Sequence, residues 1–155
     1  MQVYNHWSGL NTRYKKLVVG LGNFDGVHIG HQKLITEVTA FAENIGGTPA
    51  VITFHPHPLS VIRPENCPPL LLTQEYKHKL IAGLQVEVML ELPFDLEFAR
   101  ILPKDFIREI LYEGCIIETS ESVHKYKLFY IFALVLMSLQ YMWFAEHTHE
   151  DTHPM

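Results

Sequence analysis

The sequence has few cysteines, a low proportion of charged residues and no surplus of positive charge. Two cysteines, Cys67 and Cys115, are too few for a disulfide scaffold in 155 residues, which favours a reducing, cytoplasmic location. The formal net charge of −5 argues against general binding of DNA or RNA, because neutralising phosphates needs an excess of lysine and arginine. The first residues lack the basic start and apolar run of a signal peptide. With 48% hydrophobic residues, the chain is expected to pack around a core rather than to be disordered.

Apolar segments of strand length alternate along the chain with segments of helical periodicity. The predicted strands are 17–21, 50–54 and 87–92, and the predicted helices are 28–44, 73–84 and 103–112. Strands that are apolar at successive positions are typical of a parallel sheet covered on both faces. The prolines between 56 and 69 predict an irregular loop. Because alternating strands and helices favour right-handed parallel connections, we predict an α/β fold with a parallel sheet.

The segment 22–31 combines glycines, a turn and two histidines at the end of the first predicted strand. Ligands dock at the carboxyl ends of parallel strands, and a helix start offers amide donors and a positive dipole end to a phosphate. His28 and His31 lie three residues apart on one side of the helix, and Gly30 lets a phosphate approach the backbone without meeting a Cβ. Imidazoles placed there would stabilise charge during phosphoryl or nucleotidyl transfer. Surface polarity, capping and metal binding are the alternatives for such a histidine pair.

The quartet His28-Ile29-Gly30-His31 resembles the HxGH signature of the nucleotidylyltransferase superfamily. The longer segment 22–28 resembles, more narrowly, the FMN adenylyltransferase module of prokaryotic FAD synthetase, the bifunctional riboflavin kinase/FMN adenylyltransferase. Segments 51–58, 71–80 and 94–111 are similar to further motifs of that module in the same order. The resemblance covers roughly residues 16–114 and implies a Rossmann-like nucleotidylyltransferase fold.

The resemblance implies a reaction and a set of site residues. ATP would bind with Mg²⁺ bridging its phosphates, and the FMN phosphate would attack the α-phosphorus in line, releasing pyrophosphate and forming FAD. The implied ATP-binding residues are Gly22, Asn23, Phe24, His28, Gly30 and His31. His28 and His31 would stabilise the transition state and leaving group, and Asn23 would hold a phosphate oxygen or fix the turn. Pro56, His57 and Pro58 would lie near the flavin phosphate.

Several of these residues also have structural interpretations. Asp25 would pin the turn through its own backbone, as Asx residues do, and His57 would be an exposed loop residue. Three phenylalanines, Phe94, Phe98 and Phe106, are expected in the core rather than against the flavin. No metal site is predicted, because the spacing of His55 and His57 places no third ligand.

The sequence after Gly114 departs from the family pattern. We expect a family-like domain over 1–117 and a divergent tail over 118–155, with an apolar helix at 128–145 that has no charged residue. A frameshift or early stop, a membrane anchor and a helix packed on the domain or on a partner are the three alternatives for this tail. Because the family's later phosphate-binding motifs and its riboflavin kinase domain are absent from the sequence, we expect marginal stability and weak activity.

Three functions follow from this reading. The first is FMN adenylyltransferase, with ATP and FMN as substrates and no nucleic-acid partner. The second is an inactive remnant that binds a nucleotide or a partner without turnover. The third is a sister nucleotidylyltransferase with another phosphate acceptor. The oligomeric state is left open.

Overall fold

The computed structural model describes residues 1–14 and 16–114. Four strands are present there: β1 (Gln2–Tyr4), β2 (Leu17–Leu21), β3 (Thr48–His55) and β4 (Val88–Pro93). The helices are α1 (Leu10–Arg13), α2 (Ile29–Ile45), α3 (Pro58–Ile62), α4 (Gln74–Gly83) and α5 (Pro103–Asp105), which continues as a π-helical stretch, Phe106–Gly114. Three short 3-10 helices occupy Asp25–Val27, Pro64–Asn66 and Phe98–Arg100.

The four strands form one parallel sheet in the order β1-β4-β3-β2. In the register of the two central pairs, Gly20 lies opposite Val51, and Val51 lies opposite Met89. Val51 and Met89 have no exposed surface, because the inner strands are covered on both faces, as their uninterrupted apolar sequence predicts. This arrangement confirms the predicted α/β fold and brings the carboxyl ends of β2, β3 and β4 to one edge of the sheet.

The helix α2 packs its apolar stripe on the sheet. Ile35, Val38 and Ala42 are buried along it at three- and four-residue spacing, as the sequence periodicity predicts. One core cluster joins Ile35 to Ile81 of α4 and to Phe24 of the turn after β2. The turn that starts the candidate site is therefore built into the core.

Parts of the structure were not predicted from the sequence. The strand β1 pairs through only three residues at the sheet edge, which is too short a segment for an alternation pattern to be recognised. The prolines between 56 and 69 predicted an irregular loop after β3. This stretch instead contains the helix α3. Pro58 occupies the first turn of this helix, where the missing N–H costs no hydrogen bond.

Other predictions concern residues beyond the described part of the chain. The tail 118–155, its apolar helix at 128–145 and Cys115 lie outside the described residues. Among residues 1–14 and 16–114, no helix combines the length and apolarity needed to cross a membrane.

Candidate active site

The turn after β2 runs through positive backbone φ angles. Phe24 has a φ of 52° and Gly26 a φ of 78°, a region that an L side chain adopts only with strain. The Phe24 ring is fully buried, and a Cβ added to Gly22 would lie 3.3 Å from it. Glycine at position 22 therefore lets the chain pass closely over the ring. Because the Phe24 side chain is in the core, only its backbone is available to a ligand.

A second loop closes over this turn. The backbone N–H of Leu71 donates to Asp25 Oδ1 at 3.2 Å, and a Cβ added to Gly26 would lie 2.9 Å from Leu71 Cδ1. The Asp25 carboxylate is therefore bonded to another segment of the chain, whereas the sequence predicted a bond to its own turn.

The structure brings His28 and His31 together at the start of α2. Their rings stack with centroids 3.8 Å apart and planes inclined by 23°. His31 also meets the edge of the Phe24 ring at a centroid distance of 5.3 Å. His28 is the N-cap residue of α2, so both imidazoles lie beside the unpaired amides of the first helical turn. Gly30 lies next to the His28 ring, since a Cβ there would be 3.5 Å from it.

The surroundings of His31 favour its neutral form over its charged form. Burial, and then the neighbouring His28, lower the pKa of His31, while Asp25 opposes this effect. The Nδ1 atom of His31 is buried without a hydrogen-bond partner among the described residues. A neutral imidazole can donate from one nitrogen and accept at the other.

Asn23 and His57 meet across the carboxyl ends of β2 and β3. Asn23 Nδ2 lies 3.4 Å from His57 Nε2, and the N–H of Leu59 donates to His57 Nδ1 at 3.2 Å. Because Nδ1 accepts, the neutral ring carries its proton on Nε2, and the Asn23 atom that can accept from that N–H is the amide oxygen, in the orientation of the amide opposite to the one that places Nδ2 there. The amide NH₂ of Asn23 then remains as a donor for a ligand. Burial is the main cause that lowers the pKa of His57.

Pro56 and Pro58, which were also predicted near the flavin phosphate, differ from each other in their position in the fold. Pro56 is exposed after the end of β3, and Pro58 begins α3. Of this trio, His57 lies within 3.4 Å of Asn23, a residue of the predicted ATP-binding set. Of the three phenylalanines expected in the core, Phe94 is buried, whereas Phe98 and Phe106 are half-buried. All three contact the ring of Phe54 in one aromatic cluster.

Sequence reasoning missed a polar group directly behind the turn. Thr53 and Lys77 are buried, and the Lys77 Nζ donates to Thr53 Oγ1 at 3.3 Å. Lys77 lies four residues before the buried Ile81 and therefore on the inner face of α4. A lysine at an apolar position of a helix was the signal that could have identified it.

Comparison with known proteins identifies the family to which these features belong. The family described as FAD synthetase matches residues 10–119. This chain belongs to the FAD synthetase family. The match confirms the resemblance carried by the glycine turn and the histidine pair, and it includes the described part of the site.

Two relatives have the same name in different bacteria. The chain is 44% identical over 97 residues to the bifunctional riboflavin kinase/FMN adenylyltransferase of Bacillus subtilis, covering 62% of this chain and 31% of the relative. It is 36% identical over 110 residues to the protein of that description from Listeria monocytogenes, covering 69% and 33%. The chain thus spans about a third of the length of these curated relatives.

A solved structure shows the same fold. The macrolide-efflux protein from Streptococcus pneumoniae superposes with a TM-score of 0.61 at 24% identity, over 73% of this chain and 38% of that one. This likeness supports the Rossmann-like α/β architecture.

Proposed function

We propose that this chain transfers an adenylyl group from ATP to FMN, forming FAD and pyrophosphate. The observation that carries the proposal is the stacked pair of His28 and His31 at the start of α2, at the carboxyl end of β2. Next to this pair, the contact between Asn23 and His57 joins the predicted ATP side to the predicted flavin side. Membership of the FAD synthetase family supports the same reaction.

The histidine pair would act on the triphosphate of ATP. The first-turn amides of α2 and the N–H groups of the two imidazoles donate to phosphate oxygens, where negative charge grows as the FMN phosphate attacks the α-phosphorus. The bond from that phosphorus to the bridging oxygen breaks, and pyrophosphate leaves with the electron pair. The protein contributes position and electrostatics, and no covalent bond to the enzyme is formed.

Mg²⁺ would enter as part of the ATP complex. Within residues 1–14 and 16–114, no group of three or more histidine, cysteine, aspartate or glutamate side chains is arranged to hold a metal. At nucleotide sites Mg²⁺ is commonly bound through substrate phosphates and water.

The flavin side would be organised by Asn23 and His57. With the amide oxygen facing the Nε2–H of the neutral ring, the Asn23 NH₂ would be left to donate to a phosphate oxygen of either substrate. The prolines at 56 and 58 hold His57 between them and limit its backbone freedom. A cytoplasmic location and the absence of nucleic-acid partners stay predictions.

The test is FAD formation from ATP, Mg²⁺ and FMN by the full chain. Replacing His28 or His31 by alanine should lower the rate by about a hundredfold or more. His6→Ala is the matched control, because His6 is an exposed histidine that stacks on Trp7, away from this turn. The proposal is supported if the wild type and His6→Ala form FAD and both site variants lose this activity.

Two outcomes would contradict it. One is no FAD from the wild-type chain while the Bacillus subtilis relative forms FAD in the same assay. Calorimetry with ATP then shows whether nucleotide binding without turnover is the function. The other is turnover with a different phosphate acceptor in place of FMN, which a panel of phosphorylated acceptors detects.

A further inference from the structure

Lys77 is a buried cation in the layer behind the site. Only 6% of its surface is exposed, and its Nζ lies 3.6 Å from Glu91 Oε1. Burial lowers the pKa of Lys77, and Glu91 opposes that effect. Burying an ammonium group is costly unless it makes specific bonds, so its contacts identify what it supports.

The Glu91 carboxylate has two polar partners besides Lys77. The same carboxylate oxygen accepts a hydrogen bond from Gln74 Nε2 at 3.1 Å and lies 3.0 Å from His78 Nε2. The contact from Lys77 to Glu91 is longer than either. The shorter bond of Lys77 is the one to Thr53.

Thr53 connects Lys77 to the turn after β2. Its side chain has no exposed surface, and its hydroxyl donates to the backbone oxygen of Asn23 at 3.1 Å. One hydroxyl therefore accepts from Lys77 and donates to Asn23, which sets the direction of both bonds. A hydroxyl that accepts from a cation is a stronger donor to its own acceptor.

We propose that Lys77 is a positioning residue for adenylyl transfer, which acts through Thr53 to hold the Asn23 backbone and, with it, the side chain that meets His57. The relay is defined as Lys77, Thr53 and Asn23. It joins α4 and β3 to the glycine turn, so the turn is held by a buried ammonium rather than by its own residues alone. The catalytic part of this inference rests on the proposed function.

The test breaks the relay at two points. Lys77→Met removes the ammonium and keeps most of the side-chain volume, whereas Thr53→Val removes the hydroxyl and keeps the shape. Thr53→Ser retains the hydroxyl and should therefore keep the activity that Thr53→Val loses. Lys79→Met is the matched control, because Lys79 is an exposed lysine on the same helix that pairs with Glu75.

The relay predicts a specific kinetic pattern. Lys77→Met and Thr53→Val should each lower kcat by about a hundredfold, because a misplacement of about 1 Å at a reacting group has that effect. The KM values should change less than kcat. The double variant should be no slower than either single variant, since both remove the same contact. Lys79→Met and Thr53→Ser should stay within about threefold of wild type.

A second measurement does not depend on turnover. The NMR signals of the Asn23 side-chain amide should move in Lys77→Met and in Thr53→Val, and stay in place in Lys79→Met. If the wild type forms no FAD, the proposed function fails and the relay is judged on these signals alone. Three results from folded variants would overturn the relay. The Asn23 signals could stay in place in Lys77→Met and Thr53→Val, or kcat could stay near normal in both. The third is a double variant whose loss of kcat is the product of the two single losses.

Discussion

The buried ring of Phe24 offers a sharp test of how the core supports the histidine pair. It has no exposed surface and meets His31 edge-on at a centroid distance of 5.3 Å. Phe24→Leu keeps a smaller apolar side chain in the core but removes the aromatic edge. Ile35→Val is the matched control, because Ile35 is equally buried in the same cluster and has no aromatic edge to lose.

The two substitutions should cost similar stability. Ile35→Val removes one buried methyl group and should lower the free energy of unfolding by about 1 kcal/mol. Phe24→Leu should cost about 1–2 kcal/mol, which combines imperfect filling of the core with loss of an edge contact of about 1 kcal/mol. Domains of this size are stable by roughly 5–15 kcal/mol, so both variants should remain folded.

Function should separate the two variants. In Phe24→Leu the His31 ring loses its lateral support and becomes more hydrated, so FAD formation should fall by about tenfold or more and the pKa of His31 should rise towards its ordinary value. Ile35→Val should leave both unchanged. The measurements are denaturant unfolding, the rate of FAD formation and an NMR titration of the His31 ring. Equal rates and equal His31 pKa values in the two variants would refute the reasoning.

Two further predictions concern stability. A Cβ at Gly47 would lie 2.5 Å from the backbone oxygen of Lys16, so Gly47→Ala should cost about 2–3 kcal/mol and lower the Tm by about 8 °C. Gly83→Ala, with nothing within 4 Å of the added Cβ, should leave the Tm unchanged or raise it; equal shifts in a thermal scan would contradict the packing argument. Because the pKa of His57 is lowered by burial, the unfolded state binds the proton more readily. Stability should therefore fall as the pH drops below about 6.5. Urea titrations at about pH 7.5 and about pH 5.5 measure this loss of stability, which should be smaller in His57→Asn. The same loss in His57→Asn and wild type would count against a role of His57.

The glycine turn illustrates where sequence reasoning reached its limit. The pattern of a strand, a polar turn and two histidines correctly predicts that His28 and His31 lie together at a helix start, because those relations are local. The same pattern does not reveal that the Phe24 side chain turns into the core, because this depends on the left-handed backbone angle at Phe24 and on the space beneath Gly22. Contact between Asp25 and Leu71 was missed for a similar reason, since it joins segments 46 residues apart.

The sequence by itself determined the alternation of strands and helices, the parallel sheet and the position of the histidine pair. Apolar runs and helical spacing act through neighbours in the chain, and burial on both faces leaves such strands few other arrangements. Only the tertiary structure decided which distant side chains meet at the carboxyl edge. Pairing of β3 between β2 and β4 brings His57 to Asn23 and sets Thr53 between the turn and Lys77. These contacts depend on strand order and helix packing, which no local pattern of residues specifies.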